Sequence, residues 1–210
     1  MGNAVTYVGL DLETSGTDIS AGSVPIQVGV SLGAAANMRS LIGGWEWDND
    51  DRPETWDERA ALIHNIDRDL VGVMCDVEEY PTVVDRKVAS FLTRMANVGP
   101  NEAVLVGWNV GTFDFPFVRK YLPNTAALCS YRFVDLNALC FSMAEAGRRR
   151  AYQPDQAIGA KAWKARAKKA AERMMGGDPK WHDAGYDATA SLLEWSWLVD
   201  RLDPKEGRPL

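Results

Sequence analysis

Three short stretches of this 210-residue chain concentrate side chains able to do metal or acid–base chemistry. The first is Val8-Gly9-Leu10-Asp11-Leu12-Glu13-Thr14-Ser15-Gly16. On a strand, residues two apart point to the same side, so Asp11 and Glu13 present their carboxylates together. Two anions at the end of an apolar strand repel each other and lose hydration, which either a hard divalent cation between them or a proton kept on one of them relieves. Solvated strand ends also carry such pairs without any function. The second is Gly107-Trp108-Asn109-Val110-Gly111-Thr112-Phe113-Asp114. It reads as a strand end, Thr112 as helix N-cap and Asp114 in the first helical turn, where a carboxylate equally serves just to stabilise the helix dipole. The third is His182-Asp183-Ala184-Gly185-Tyr186-Asp187. Five residues of helix amount to about 140° of net rotation, so His182 and Asp187 cannot share a face within one helix. The spacing instead places His182 in the loop before a helix, Asp183 as its N-cap and Asp187 one turn in. An isolated histidine is usually a surface residue, although this is one of two in the chain.

Periodicity supplies elements to carry these groups. Strands are predicted over 4–11, 26–32, 39–47, 103–108 and 131–134, with a polar loop at 48–53. Helical spacing runs over 54–64, 83–95, 113–121 (closed by Pro123), 135–146, 157–174 and 184–199. Val84, Val88, Phe91, Leu92 and Met95 form one apolar stripe. Trp163, Ala167, Ala170 and Met174 form another, and Ala188, Leu192, Trp195, Leu198 and Val199 a third. Three strands followed by alternating strands and helices imply an α/β fold with one mixed sheet flanked by helices. No linker or repeat interrupts 1–203, read as a single domain. The Pro-, Gly- and charge-rich 204–210 reads as a frayed tail.

Bulk properties narrow the class. Apolar residues at 46% and charged residues at 25% are ordinary for a globular domain. No apolar stretch is long enough to span a bilayer, and no secretory leader opens the chain, so no membrane association and a cytoplasmic location are expected. Cys75, Cys129 and Cys140 lack metal-site spacing and read as reduced thiols. The net charge of −6 argues mildly against a nucleic-acid partner. Its distribution softens that objection: residues 46–85 hold 13 acidic and 3 basic side chains, and residues 148–173 hold 9 basic and 2 acidic. The basic stretch is either a solvated helix face or a guide for phosphates, with Lys164, Arg166, Lys168 and Lys169 as candidate backbone contacts. Trp163 is either a core residue or a base-stacking platform.

Together, in this order, D-x-E on the first strand, N-x₄-D at a strand–helix junction and H-x₄-D on the last helix resemble the DEDDh (DnaQ-like) exonuclease family of the ribonuclease H-like superfamily. The resemblance covers about 5–200. It takes in Pro25-Ile26-Gln27-Val28-Gly29-Val30, His64-Asn65-Ile66 (like the family's "HGI") and Val134-Asp135-Leu136. The related tyrosine class would want Tyr at position 183, where this chain has Asp.

The resemblance implies a ribonuclease H-like fold and a 3′→5′ exonuclease releasing nucleoside 5′-monophosphates. It implies that Asp11, Glu13, Asp114 and Asp187 hold two Mg²⁺ or Mn²⁺ ions, with His182 as general base. Two such ions activate water and stabilise the leaving 3′-oxygen, and imidazole accepts protons near neutral pH. The resemblance further implies that Thr14, Ser15, Gly16 and His64 line the pocket for the terminal nucleotide and that Asn109 supports the site. A nucleic acid with a free 3′ end is the implied partner. Single-stranded DNA is favoured over RNA on similarity to proofreading members, and proofreading would need a polymerase on a separate chain. Asn65 in place of the glycine of "HGI" implies a different turn, and Asp183 adds a charge beside His182. The competing reading is a catalytically silent nucleic-acid-binding or scaffold module on the same fold.

Overall fold

Alternation along the first strand divides the molecule into two layers. In β1 (Thr6–Thr14), Val8, Leu10 and Leu12 enter the main apolar core, while Gly9, Asp11 and Glu13 face the opposite side. The computed structural model describes residues 5–47, 54–72, 76–150 and 158–202. The expected loop 48–53, Cys75, residues 151–157 of the basic stretch and the tail 204–210 lie outside the described residues.

β2 (Pro25–Ser31) and β3 (Asn37–Leu41) follow β1 as an antiparallel meander, and β4 (Ala103–Gly107) and β5 (Cys129–Asp135) add on its other side in parallel. The order β3-β2-β1-β4-β5 makes a mixed sheet of ribonuclease H-like type, flanked by helices. β1 runs past Asp11 to Thr14 because Asp11 and Glu13 pair with Gly29 and Gln27 in the ladder. The carboxylates therefore sit within a paired strand.

Among the described residues, seven α-helices cover the sheet: α1 (Glu58–His64), α2 (Pro81–Ala96), α3 (Asp114–Tyr121), α4 (Pro123–Leu128), α5 (Leu136–Arg150), α6 (Ala160–Met175) and α7 (Ala184–Val199). Val84, Val88 and Leu92 of α2, with Phe117 and Val118 of α3, close the core over Leu10 and Val28. On the other side α7 crosses β1 and β2, and α6 and α5 stack behind it around Val106, Leu136, Met143, Trp163 and Leu198. Trp163 is only 5% exposed, which removes it as a stacking platform. Met95, Met174 and Val199, expected in apolar stripes, are exposed at the helix ends. α1 starts at Glu58 because the Asp57 side chain caps it, accepting from Arg59 N at 2.8 Å. Pro123 ends α3 and also opens α4 at its first position, where a missing N–H costs nothing.

Two glycines set how close α7 comes. A Cβ on Gly29 would run into the Ala184 carbonyl, and one on Gly9 into the Ala188 carbonyl. Gly29 is the ladder partner of Asp11. The first turn of α7 is thus seated on bare backbone directly beside the β1 carboxylates.

Candidate active site

Asp11 and Glu13 project from β1 on the α7 side. Asp114 is the first residue of α3, and its Oδ1 accepts from Leu12 N at 3.0 Å. That bond crosses from the β4–α3 junction to β1, and so fixes Asp114 against the strand that carries the other two acids. Thr112, expected as the N-cap, instead donates its hydroxyl to the Asn109 carbonyl (3.2 Å), and Phe113 takes the cap position without a side-chain bond.

Asp187 arrives from α7. Asp183 caps that helix, with Oδ1 accepting from Tyr186 N at 3.1 Å, and pairs through its other oxygen with Arg39 of β3. Ala184 N donates to Gln27 Oε1 at 2.8 Å. These contacts pin the loop in which His182 adopts a φ of 67° and donates its backbone N–H to Asp187 Oδ2 at 2.9 Å. The imidazole itself is exposed. Ligand atoms of Glu13, His182 and Asp187 lie within 4.8 Å of one another, a set able to coordinate one divalent cation. Asp187 Oδ1 is buried and has no hydrogen-bond partner, as suits an oxygen waiting for a cation.

The electrostatics of the cluster fit the same need. Burial, then the charges of Asp114, Asp187 and Glu13, push the Asp11 carboxyl well above the usual range. Glu13 is raised to about 8, by burial first and then by Asp187 and Asp114. Asp114 is raised to about 7, chiefly by burial, with the Leu12 N–H opposing. Asp187 is raised by burial, against the opposing pull of the His182 N–H. A carboxyl whose folded pKa is raised stabilises the fold at low pH, and that contribution is lost as pH rises through the folded value. The metal-free protein should therefore lose several kcal/mol of stability as pH climbs from about 5 to about 8, spanning the raised values of Asp114 and Glu13. Urea midpoints measure this. Mn²⁺ should restore the loss, with a larger gain at the alkaline end, and a midpoint indifferent to both pH and metal would contradict the description of the cluster.

The remaining candidates fall into two groups. Thr14 Oγ1 donates to the Gly16 carbonyl (2.7 Å) and Ser15 Oγ accepts from Val24 N (3.0 Å), so both hydroxyls are engaged within the turn. His64 is buried edge-on against Trp56, with Nδ1 accepting from Ile66 N at 3.0 Å and Nε2 lacking a hydrogen-bond partner. Burial, then the proximity of His182, holds its pKa below the ordinary value, while the Thr14 backbone opposes. Those neighbours place His64 near the Thr14 backbone and His182. Asn65 takes a left-handed φ of 53°, a conformation that favours glycine and that Asn tolerates better than most residues. Asn109 is exposed at a φ of 60°, binds the Phe113 N–H through its carbonyl (2.8 Å) and accepts from Asn137 Nδ2 at 2.6 Å. It shapes the junction that presents Asp114.

Several participants escaped the sequence reading. Gln27 signalled itself only as a polar residue inside an apolar strand, and Arg39 gave no signal. Trp181 precedes His182 directly, and Lys168, read in the sequence only as a candidate phosphate contact, also exerts its charge on Asp11 and Asp187 from α6. The buried thiols Cys129 and Cys140 are pushed up to about 12 and about 11, chiefly by burial, and play no part in the cluster. Among the described residues, no helix is long and apolar enough to cross a membrane.

No protein-family model matches the sequence, and no curated protein matches it. Solved structures do. A structure of exonuclease I, described as suggesting how processivity is achieved, aligns at 16% identity and a TM-score of 0.58 over 96% of this chain and 42% of that one. The zinc-bound form of the E. coli exonuclease I–ssDNA complex aligns at 16% identity and a TM-score of 0.56, over 96% and 41%. A product-bound exonuclease I aligns at 16% identity and a TM-score of 0.57, over 94% and 46%. The chain thus spans less than half the length of the structures it matches, and at this identity the likeness establishes the fold.

Proposed function

We propose that the chain is a metal-dependent 3′→5′ exonuclease that removes nucleoside 5′-monophosphates from single-stranded nucleic acid, with DNA preferred to RNA. The observation that carries this reading is the convergence of Asp11, Glu13, Asp114 and Asp187, from three distant segments, into a cluster whose shared charge burial opposes. Such crowding is destabilising on its own, and cations relieve it. The four carboxylates would hold two Mg²⁺ or Mn²⁺ ions, which when bound favour in-line attack of water on the scissile phosphate and departure of the 3′-oxygen.

The chain's own residues supply the rest. The His182 imidazole, exposed beside Asp187, takes the proton of the attacking water. Its backbone N–H holds the Asp187 carboxylate in place at the same time. The Thr14–Gly16 turn and His64 receive the terminal nucleotide, and Asn109 secures the junction bearing Asp114. Complexes of exonuclease I with single-stranded DNA share this fold, which supports the choice of substrate class. Any proofreading would pair the chain with a separate polymerase.

The test is digestion of a 5′-labelled single-stranded oligonucleotide. A ladder shortening from the 3′ end, abolished by EDTA and restored by Mn²⁺, is expected. Retained binding without cleavage in any divalent metal would turn the assignment over to a silent binding module.

A further inference from the structure

Lys164 and Lys168 stand one turn apart on α6, about 6 Å along its axis. The Lys168 Nζ lies 4.0 Å from the centroid of Trp181, and the Lys164 Nζ lies 4.3 Å from that of Trp108. Trp181 directly precedes His182 and Trp108 directly precedes Asn109, so each pair adjoins a segment that forms the site. Both rings are held. Trp181 Nε1 donates to Glu172 Oε1 at 3.0 Å and its ring meets Tyr186 edge-on at 5.0 Å. Trp108 Nε1 donates to Glu194 Oε2 at 2.5 Å. The Glu194 side chain is fully buried, its Oε1 has no hydrogen-bond partner, and both lysines act on its charge.

Two ammonium groups a turn apart on one helix repel each other, which a bound anion relieves. Lys168 also acts on Asp11 and Asp187. Once cations occupy those carboxylates, its charge is free to meet another anion. The ammonium groups are half-buried and laid on rigid rings, so little side-chain freedom is lost when an anion docks. Arg166 and Lys169, by contrast, are exposed to solvent.

We propose that Lys164 and Lys168, on Trp108 and Trp181, form a phosphate shelf that grips two consecutive backbone phosphates of the single strand leading into the site. The separation along α6 suits neighbouring phosphates of an extended strand. The inference rests on the nuclease reading and specifies how that site takes its polyanionic substrate.

The experiment compares parent, Lys164→Met, Lys168→Met and the double variant on a 5′-fluorescein thymidine oligonucleotide in Mn²⁺ across a salt series. Arg94→Met, an exposed cation on α2, is the control. Each lysine variant should raise KM roughly tenfold and flatten the dependence of log kcat/KM on log salt by about 0.7 for each phosphate no longer gripped, and Lys164→Met should do so with kcat changed less than about threefold. Salt slopes equal to that of Arg94→Met would overturn the shelf. So would a fall in metal-free melting temperature with no change in slope, which would make the lysines counter-charges for the carboxylates only. If Lys168→Met does not fold, Lys164→Met alone must still lose its share of the slope. If the parent cuts nothing, the nuclease reading fails. Fluorescence anisotropy on the same oligonucleotide then decides the shelf by itself, through loss or retention of the salt slope of binding.

Discussion

An Asp11→Asn chain should shorten a labelled oligonucleotide at least about a thousandfold more slowly than the parent, a loss of roughly 4 kcal/mol of transition-state stabilisation. Asp11 lies where the charges of Asp114, Asp187 and Glu13 all act on it, so it is the carboxylate shared by the whole cluster. An amide in its place keeps the shape and removes the anion. The same substitution should raise the melting temperature of the metal-free protein, because one member of a mutually repelling set is gone. It should also shrink the stabilisation that Mn²⁺ confers. Kinetics on purified protein and thermal melts with and without Mn²⁺ check both halves. A variant that cuts at the parent's rate removes the basis of the metal assignment, whatever its stability.

The second large effect is expected at His182. Replacement by Asn should lower kcat by about 10²–10⁴, the range for loss of a positioned proton acceptor, and leave KM for the oligonucleotide within a few-fold. Asn is chosen because His182 has a φ of 67°, a conformation Asn tolerates better than most residues. The backbone N–H that binds Asp187 Oδ2 at 2.9 Å also survives the change. The substitution separates two roles, since His182 also lies among the atoms able to ligate a cation. Under the proton-acceptor role, the Mn²⁺ concentration at half-maximal stabilisation stays near that of the parent while turnover collapses. A large rise in that concentration would recast His182 as a ligand.

Much of the architecture was legible because it rests on local rules. The order of strands and helices, the cap at Asp183 and the place of Asp187 one turn inside α7 all follow from spacing within a few residues. What failed was set by partners elsewhere. The end of β1 looked like Asp11 because charges normally terminate strands, and only the pairing with Gly29 and Gln27 carries it to Thr14. α4 was hidden because a proline that closes one helix can begin another. Within the candidate site, the five chemical positions stood out by residue type. Gln27, Arg39 and Trp181 did not, nor did the pairing of Lys168 with Trp181, because partners across the fold are invisible to any sequence window. The basic stretch was readable as a set of candidate phosphate contacts without their packing. Packing divides it, turning Trp163 into the core, Lys164 and Lys168 toward tryptophan rings and Arg166 into solvent.

The seating of α7 on Gly9 and Gly29 has a consequence for how such a molecule can change over time. Where a helix rests on side chains, every exchange of Val for Leu beneath it shifts what it carries. Here main chain meets main chain, and the gap between Asp187 and β1 is insulated from the sizes of neighbouring residues. Side chains elsewhere under the helix can then change size while Asp187 keeps its distance from β1, provided two hydrogen atoms stay where any other residue would put carbon.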